Sequence, residues 1–141
     1  MVAWKDGTHV LAARSNKAVT KWGATVDAGA PKNAGSLYIV DASASKDGVD
    51  LFGNFSLNVE STTSTFHTRI LPGLTLTAKR KAGTATFTVT DAGTPVKGAK
   101  VKARGKSATT NAQGRAALEL KGKATATATA KGYETATLKL K

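Results

Sequence analysis

The run Ala99-Lys100-Val101-Lys102-Ala103-Arg104 alternates small apolar residues with cations, so an extended chain would carry Lys100, Lys102 and Arg104 on one face. Lys97, Lys106 and Arg115 lie near it in sequence, at the turns around the run. A row of cations is chemistry for anions: it attracts carboxylated, sulfated or phosphorylated polymers with an affinity that falls as salt rises. Lys97, Lys100, Lys102, Arg104, Lys106 and Arg115 are therefore the candidate polyanion-binding residues. Aromatic platforms for stacking bases are missing around them, because Phe87 is in phase with an inward face and Tyr133 follows a turn. The expected partner is an anionic glycan, a cell-wall polymer or a phospholipid surface, not a specific nucleic acid. The same lysines have a plainer use, which is to guard strand edges and keep a threonine-rich surface soluble.

Other reactive groups do not combine into a site. Gly105-Lys106-Ser107 ends like a phosphate-binding loop, but that pattern needs glycine at position 100, where Lys100 stands, and Gly98 is out of register. The segment also joins two strand-like runs, so it reads as a hairpin turn. His9 and His67 are the only histidines, and neither has a second ligand at a metal-binding spacing. Serine, histidine and aspartate all occur, without the sharp turn that exposes a nucleophile. Asp41, Asp47 and Asp50 surround the turn Ser45-Lys46-Asp47-Gly48. Close carboxylates suit calcium, but the spacing is not an EF-hand loop and Lys46 opposes a cation, so these read as turn formers. No catalytic residue, metal or cofactor is expected, and the chain reads as non-enzymatic.

The elements that must position the cations are strands. From Leu74 onward the sequence alternates with period two, the mark of strands with one buried face. Thr84 to Thr90 sets Ala85, Phe87 and Val89 on one face and threonines on the other. Leu74 to Ala78, Ala99 to Arg104, Arg115 to Leu120, Ala124 to Ala130 and Thr135 to Leu140 repeat the pattern. Glycine-bearing turns such as Asp91-Ala92-Gly93 and Asn111-Ala112-Gln113-Gly114 separate them. The inward residues include many alanines, so a thin core is expected. Earlier in the chain, Thr8 to Ala13, Ala18 to Val26, Ser36 to Asp41, Val49 to Leu57 and Thr65 to Leu71 read as strands, and Pro72-Gly73 reads as a joint.

Length and charge fit this division. The chain has 141 residues, no cysteine and a net charge of +12. Cysteine ligation and disulfides are thus excluded. Lys5, Arg14, Lys17, Lys21, Lys32, Lys46 and Arg69 nearly balance Asp6, Asp27, Asp41, Asp47, Asp50 and Glu60, whereas beyond Pro72 only Asp91, Glu119 and Glu134 are acidic. Nearly all of the net charge therefore lies in residues 73–141. No apolar stretch approaches the roughly 18 residues of a membrane-spanning helix, and no secretory signal opens the sequence. The abrupt strand-like start leads us to expect a mature form or a fragment.

Three runs of the second segment resemble the carboxypeptidase-regulatory-like and related bacterial immunoglobulin-like modules of the prealbumin type. They are Gly93-Thr94-Pro95-Val96-Lys97-Gly98-Ala99-Lys100-Val101, Thr110-Asn111-Ala112-Gln113-Gly114-Arg115-Ala116 and Ala130-Lys131-Gly132-Tyr133-Glu134-Thr135-Ala136. The resemblance implies a turn into a strand, a hairpin turn with its glycine, and a Gly-Tyr pair that leads into the last strand. In the first segment, Thr25-Val26-Asp27-Ala28-Gly29 resembles the Asp-box turn of secreted sialidase-type propellers, without the tryptophan expected shortly after Gly29. That resemblance implies the last blade of such a propeller.

These readings give an all-β chain: an antiparallel β-segment in residues 1–72, then an immunoglobulin-like antiparallel β-sandwich in residues 73–141. The function expected is a non-catalytic structural or adhesion module of a bacterial secreted or cell-surface protein, attached weakly to anionic polymers or glycans. The alternatives are the non-catalytic tail of a secreted sialidase-like glycosidase and a virion decoration module.

Overall fold

A computed structural model describes residues 1–57 and 63–141. Glu60, counted among the acids above, lies outside them. All regular structure among the described residues is β-strand, and every strand pairing is antiparallel. The chain forms two compact units, one of Met1–Arg14 and Thr25–Pro72, the other of Ser15–Ala24 and Gly73–Lys141.

The first unit holds two three-stranded sheets. Strands β1 (Val2–Asp6), β2 (His9–Ala13) and β3 (Val26–Asp27) form one, and β4 (Ala34–Ser45), β5 (Gly48–Leu57) and β6 (Thr63–Ile70) form the other, each in that order. Val10 and Ala12 from the first sheet share a small core with Leu37, Val49, Leu51 and Ile70 from the second. Gly53 in β5 is held to its size: a Cβ there would meet the Tyr38 carbonyl and the Phe66 ring well inside contact distance. The β4–β5 register shifts between Ile39 and Asp41, which leaves Val40 as the extra residue of a bulge.

Eight strands build the second unit: β7 (Thr75–Lys81), β8 (Thr84–Asp91), β9 (Thr94–Pro95), β10 (Lys100–Ala103), β11 (Lys106–Thr109), β12 (Arg115–Glu119), β13 (Ala124–Thr129) and β14 (Ala136–Leu140). One sheet has the order β12-β8-β7, with β9 beside β8; the other has the order β11-β10-β13-β14. Both sheets send their inward residues into one core. Leu76, Ala85, Phe87, Val89, Ala116 and Leu118 come from the first, and Val101, Ala103, Ala126 and Ala128 from the second. Tyr133, partly buried, packs against this core. Two-residue turns join β7 to β8, β8 to β9 and β10 to β11. Each has two successive positive φ values, at Ala82-Gly83, Ala92-Gly93 and Arg104-Gly105. Such turns match the twist of the strands they connect.

The sequence expectations differ from the structure at three places. Ala18 to Val26 is not one strand. The Asn16 Oδ1 accepts from the Thr20 and Lys21 amides at 2.9 and 3.1 Å, and Val19 takes a φ of 56°, so this stretch closes into a loop. Residues Ser15–Ala24, which the 1–72 division put in the first segment, group with the second unit, where Ala24 bridges Gly73. Lys106 and Ser107, read as part of a turn, are the first residues of β11.

Phe87 is fully buried, together with Ala85 and Val89, in the phase that the alternation predicts. Its loss leaves a cavity that the flanking alanines are too short to fill. Phe87→Ala should cost about 3–5 kcal/mol in denaturant unfolding of the second unit. Unchanged unfolding would mean that the strand phasing is wrong.

Candidate polyanion-binding face

The outer face of the sheet β11-β10-β13-β14 is set by register. Directly paired residues share a face, and Lys100 pairs with Thr109 and Thr129, Lys102 with Ser107 and Thr127. On the far side, Thr127 pairs with Thr137 and Thr125 with Lys139. Lys100, Lys102 and Lys139 therefore stand among serine and threonine hydroxyls, while Val101, Ala103, Ala126 and Ala128 face the core. No carboxylate belongs to this face: its strands carry no Asp or Glu.

What holds β10 in place is the loop before it and the turn after β11. Thr110 is buried. Its hydroxyl donates to the Val96 carbonyl at 2.6 Å and accepts from the Ala99 amide at 2.9 Å. Asn111 Oδ1 accepts from the Gln113 and Arg115 amides, both at 3.0 Å, and closes the turn into β12. Gly114 sits at φ 69°, and a Cβ there would lie 2.5 Å from the Val89 carbonyl oxygen. The run Thr110-Asn111-Ala112-Gln113-Gly114 is thus a packed corner in which the threonine, the asparagine and the glycine each have a separate physical task.

The structure brings together only part of the predicted set. Lys100 and Lys102 share the outer face. Arg104 does not project from that strand face: it occupies the β10–β11 turn at φ 47°, and its guanidinium donates to the Lys121 carbonyl at 2.6 Å. Lys106 pairs with Ala103 and so has the opposite phase; its amine lies 3.7 Å from Glu119 on the neighbouring sheet. Arg104 and Lys106 nevertheless line, with Lys102, Ser107, Thr125 and Thr127, a surface hollow of about 350 Å³. Lys97 lies in the loop before β10, and Arg115 faces outward from the other sheet, paired with Thr88. Lys139 and the threonines of β13 complete the face. Their period-two spacing was the signal in the sequence, but pairing alone shows which sheet carries them.

The remaining candidates stay apart. Of the Gly105-Lys106-Ser107 segment, Gly105 belongs to the two-residue turn and Lys106 and Ser107 open β11. Asp41 accepts from the Ala42 amide, Asp50 from Arg69, and the Asp47 amide donates to Ser45 Oγ, so the three aspartates have separate engagements. Among the described residues, no group of three or more His, Asp or Glu side chains could hold a metal ion. No helix among them is long and apolar enough to cross a membrane. The chain matches no family model, no curated protein and no solved structure.

The contacts of Asp27 lower the proton affinity of its carboxylate. Asp27 Oδ1 accepts from the Gly29 amide at 2.7 Å, and Oδ2 lies 2.9 Å from His9 Nδ1. The Gly29 hydrogen bond first, and the His9 contact second, hold its carboxyl below the ordinary aspartate value of 3.8. A depressed folded-state pKa contributes stability that is present above the unfolded value and lost as pH falls through the folded one. Carboxyl NMR titration should show Asp27 with a midpoint below 3.8, and His9→Ala should leave most of that depression in place, because the Gly29 amide still donates. A midpoint restored to 3.8 in that variant would assign the depression to His9 instead.

Proposed function

We propose that the chain is a non-catalytic, immunoglobulin-like binding and spacing module of a secreted or cell-surface protein, held to anionic polymers by the outer face of β11-β10-β13-β14. The observation that carries this reading is the face itself, where Lys100, Lys102 and Lys139 stand among hydroxyls with no carboxylate. A polyanion needs such a surface: cations supply long-range attraction, and neutral donors complete short hydrogen bonds to sulfate, phosphate or carboxylate oxygens. The hollow beside Lys102 is of a size for one such group. Exposed lysines contribute little to folding, which frees them for this use.

Several features support the immunoglobulin-like part of the reading. The strand order β12-β8-β7 is the one that strands E, B and A of such domains would have, and β10-β13-β14 the one for C, F and G, which supports this part of the reading. The fourth strand, β11, pairs with β10 instead of β12. The Asp27–Gly29 turn, closed by its carboxylate, favours a second reading for the first unit, the end of a sialidase-type propeller. Asp-box repeats upstream in the gene would test that reading.

The main reading is tested by binding of the full chain to heparin and to polygalacturonate, at low and physiological salt. Binding should persist at physiological salt and weaken as salt rises. The triple charge reversal Lys100→Glu, Lys102→Glu, Lys139→Glu should abolish it while moving stability by no more than about 0.5 kcal/mol. Undiminished binding by a folded triple variant would dismiss this face.

A further inference from the structure

We infer that the outer face of the sheet β4-β5-β6 is a second binding site, one that takes a neutral saccharide. In the β5–β6 register Asp50 pairs with Arg69, Phe52 with His67 and Asn54 with Thr65, which puts all six side chains on one face. Phe52 and His67 stack, with ring centroids 4.5 Å apart and planes at 22°. His67 Nε2 lies 3.3 Å from Asp50 Oδ1, and the other oxygen of Asp50 accepts from Arg69 at 3.0 Å. The aromatic pair is therefore anchored at one end by an ion pair. Below it the floor is fixed, because the Phe66 ring covers the space that a side chain at Gly53 would need.

The face remains open. Phe52 is 49 %, Tyr38 61 % and Val40 67 % exposed, and exposed apolar side chains gathered in one patch mark interaction sites where scattered ones do not. Val40, Phe52, Asn54, Thr65 and His67 line a trough of about 400 Å³. Its apolar groups are Val40 and Phe52; its neutral polar groups are the Asn54 amide and the Thr65 hydroxyl.

Charge decides the class of ligand. The chain as a whole carries +12, yet among the described residues the charged groups nearest this trough are engaged within the protein. Asp50 is held by Arg69 and His67, Asp41 accepts from the Ala42 amide, and Lys5 donates to the Leu37 carbonyl with its amine 5.0 Å from the Tyr38 ring centroid. What is left for recognition is an aromatic ring, an aliphatic side chain, an amide and a hydroxyl. A pyranose matches that set. Its C–H face packs on aromatic and aliphatic carbon, and its rim of hydroxyls donates and accepts at once, as an amide and a hydroxyl require. Among the described residues the cations nearest the trough, Arg69 and Lys5, already donate to Asp50 and to the Leu37 carbonyl. The Asp41 and Asp50 carboxylates share the face, which separates this site from the carboxylate-free lysine face of the second unit.

The test uses the full chain with cellohexaose, maltohexaose and chitohexaose, followed by calorimetry and amide NMR at low and high salt. At least one hexasaccharide should bind, with an affinity that salt does not change and with shifts centred on Phe52, Asn54 and His67. Phe52→Ala should weaken binding by about tenfold or more, and Phe52→Tyr should retain it. Asn54→Ala gives a second measure should Phe52→Ala fail to fold. Three results would overturn the inference: no binding by any of the three sugars, binding that ignores both alanine substitutions, or a self-associating chain that Phe52→Ala converts to monomer, which would make the face a contact between copies.

Discussion

Phe87 fills a core in which its neighbours across the two sheets are mainly alanine, valine and leucine, and the second unit is organised around that one large side chain. Alanines at Ala85, Ala103, Ala116, Ala126 and Ala128 remove little apolar surface from water each. They can make a core only if the sheets lie close and the space between them is filled without gaps. Strict alternation follows from this constraint. An inward lysine in a core this thin would displace an alanine that has no slack around it, so long polar side chains turn outward along the strands and take the inward phase only at exposed strand ends, as Arg80 and Lys106 do. The basic face is in that sense a consequence of the core.

The same constraint places a demand on the connections. Short strands with small inward residues give each strand little burial of its own, so the turns must be fixed independently. Thr110 ties the Val96–Ala99 loop by two hydrogen bonds, Asn111 closes the next turn, and Gly114 lets the chain pass against the Val89 carbonyl. These residues set where β10 begins and how β12 leaves, and hence the row in which Lys100 and Lys102 stand. The first unit meets the problem differently. There the small core of Val10, Leu37, Leu51 and Ile70 is joined by a rigid outer layer, the Arg69–Asp50–His67–Phe52 chain of contacts.

Period-two alternation made much of this legible. It gave six of the eight strands of the second unit, all but β9 and β11, together with the inward phase of Phe87 and the outward phase of Lys100 and Lys102. It failed where it was carried one residue too far: Arg104 continues the alternation in sequence, but the two-residue turn with Gly105 demands positive φ and takes it off the strand. Lys106, expected near a turn, follows this one directly, and crossing the turn gives it the phase of Ala103. Arg115 lies on the other sheet, and spacing along a chain carries no information on which sheet a strand joins. The loop at Asn16 hid behind β-prone residues, because a single side-chain acceptor overrode their propensity. The Phe52, His67 and Asp50 cluster was illegible as well: those residues sit up to 17 positions apart, and only the β5–β6 register joins them.

The central claim is that anionic polymers meet this chain on one sheet of the second unit. Amide chemical-shift mapping of the full chain with a sulfated oligosaccharide tests it most directly. The account predicts shifts confined to β10, β11, β13 and β14, largest near Lys100, Lys102 and Ser107, that fade together as salt is added. Shifts of equal size at Arg115 and across the sheet β12-β8-β7 would contradict it, for they would show a diffuse attraction to net charge with no face of its own.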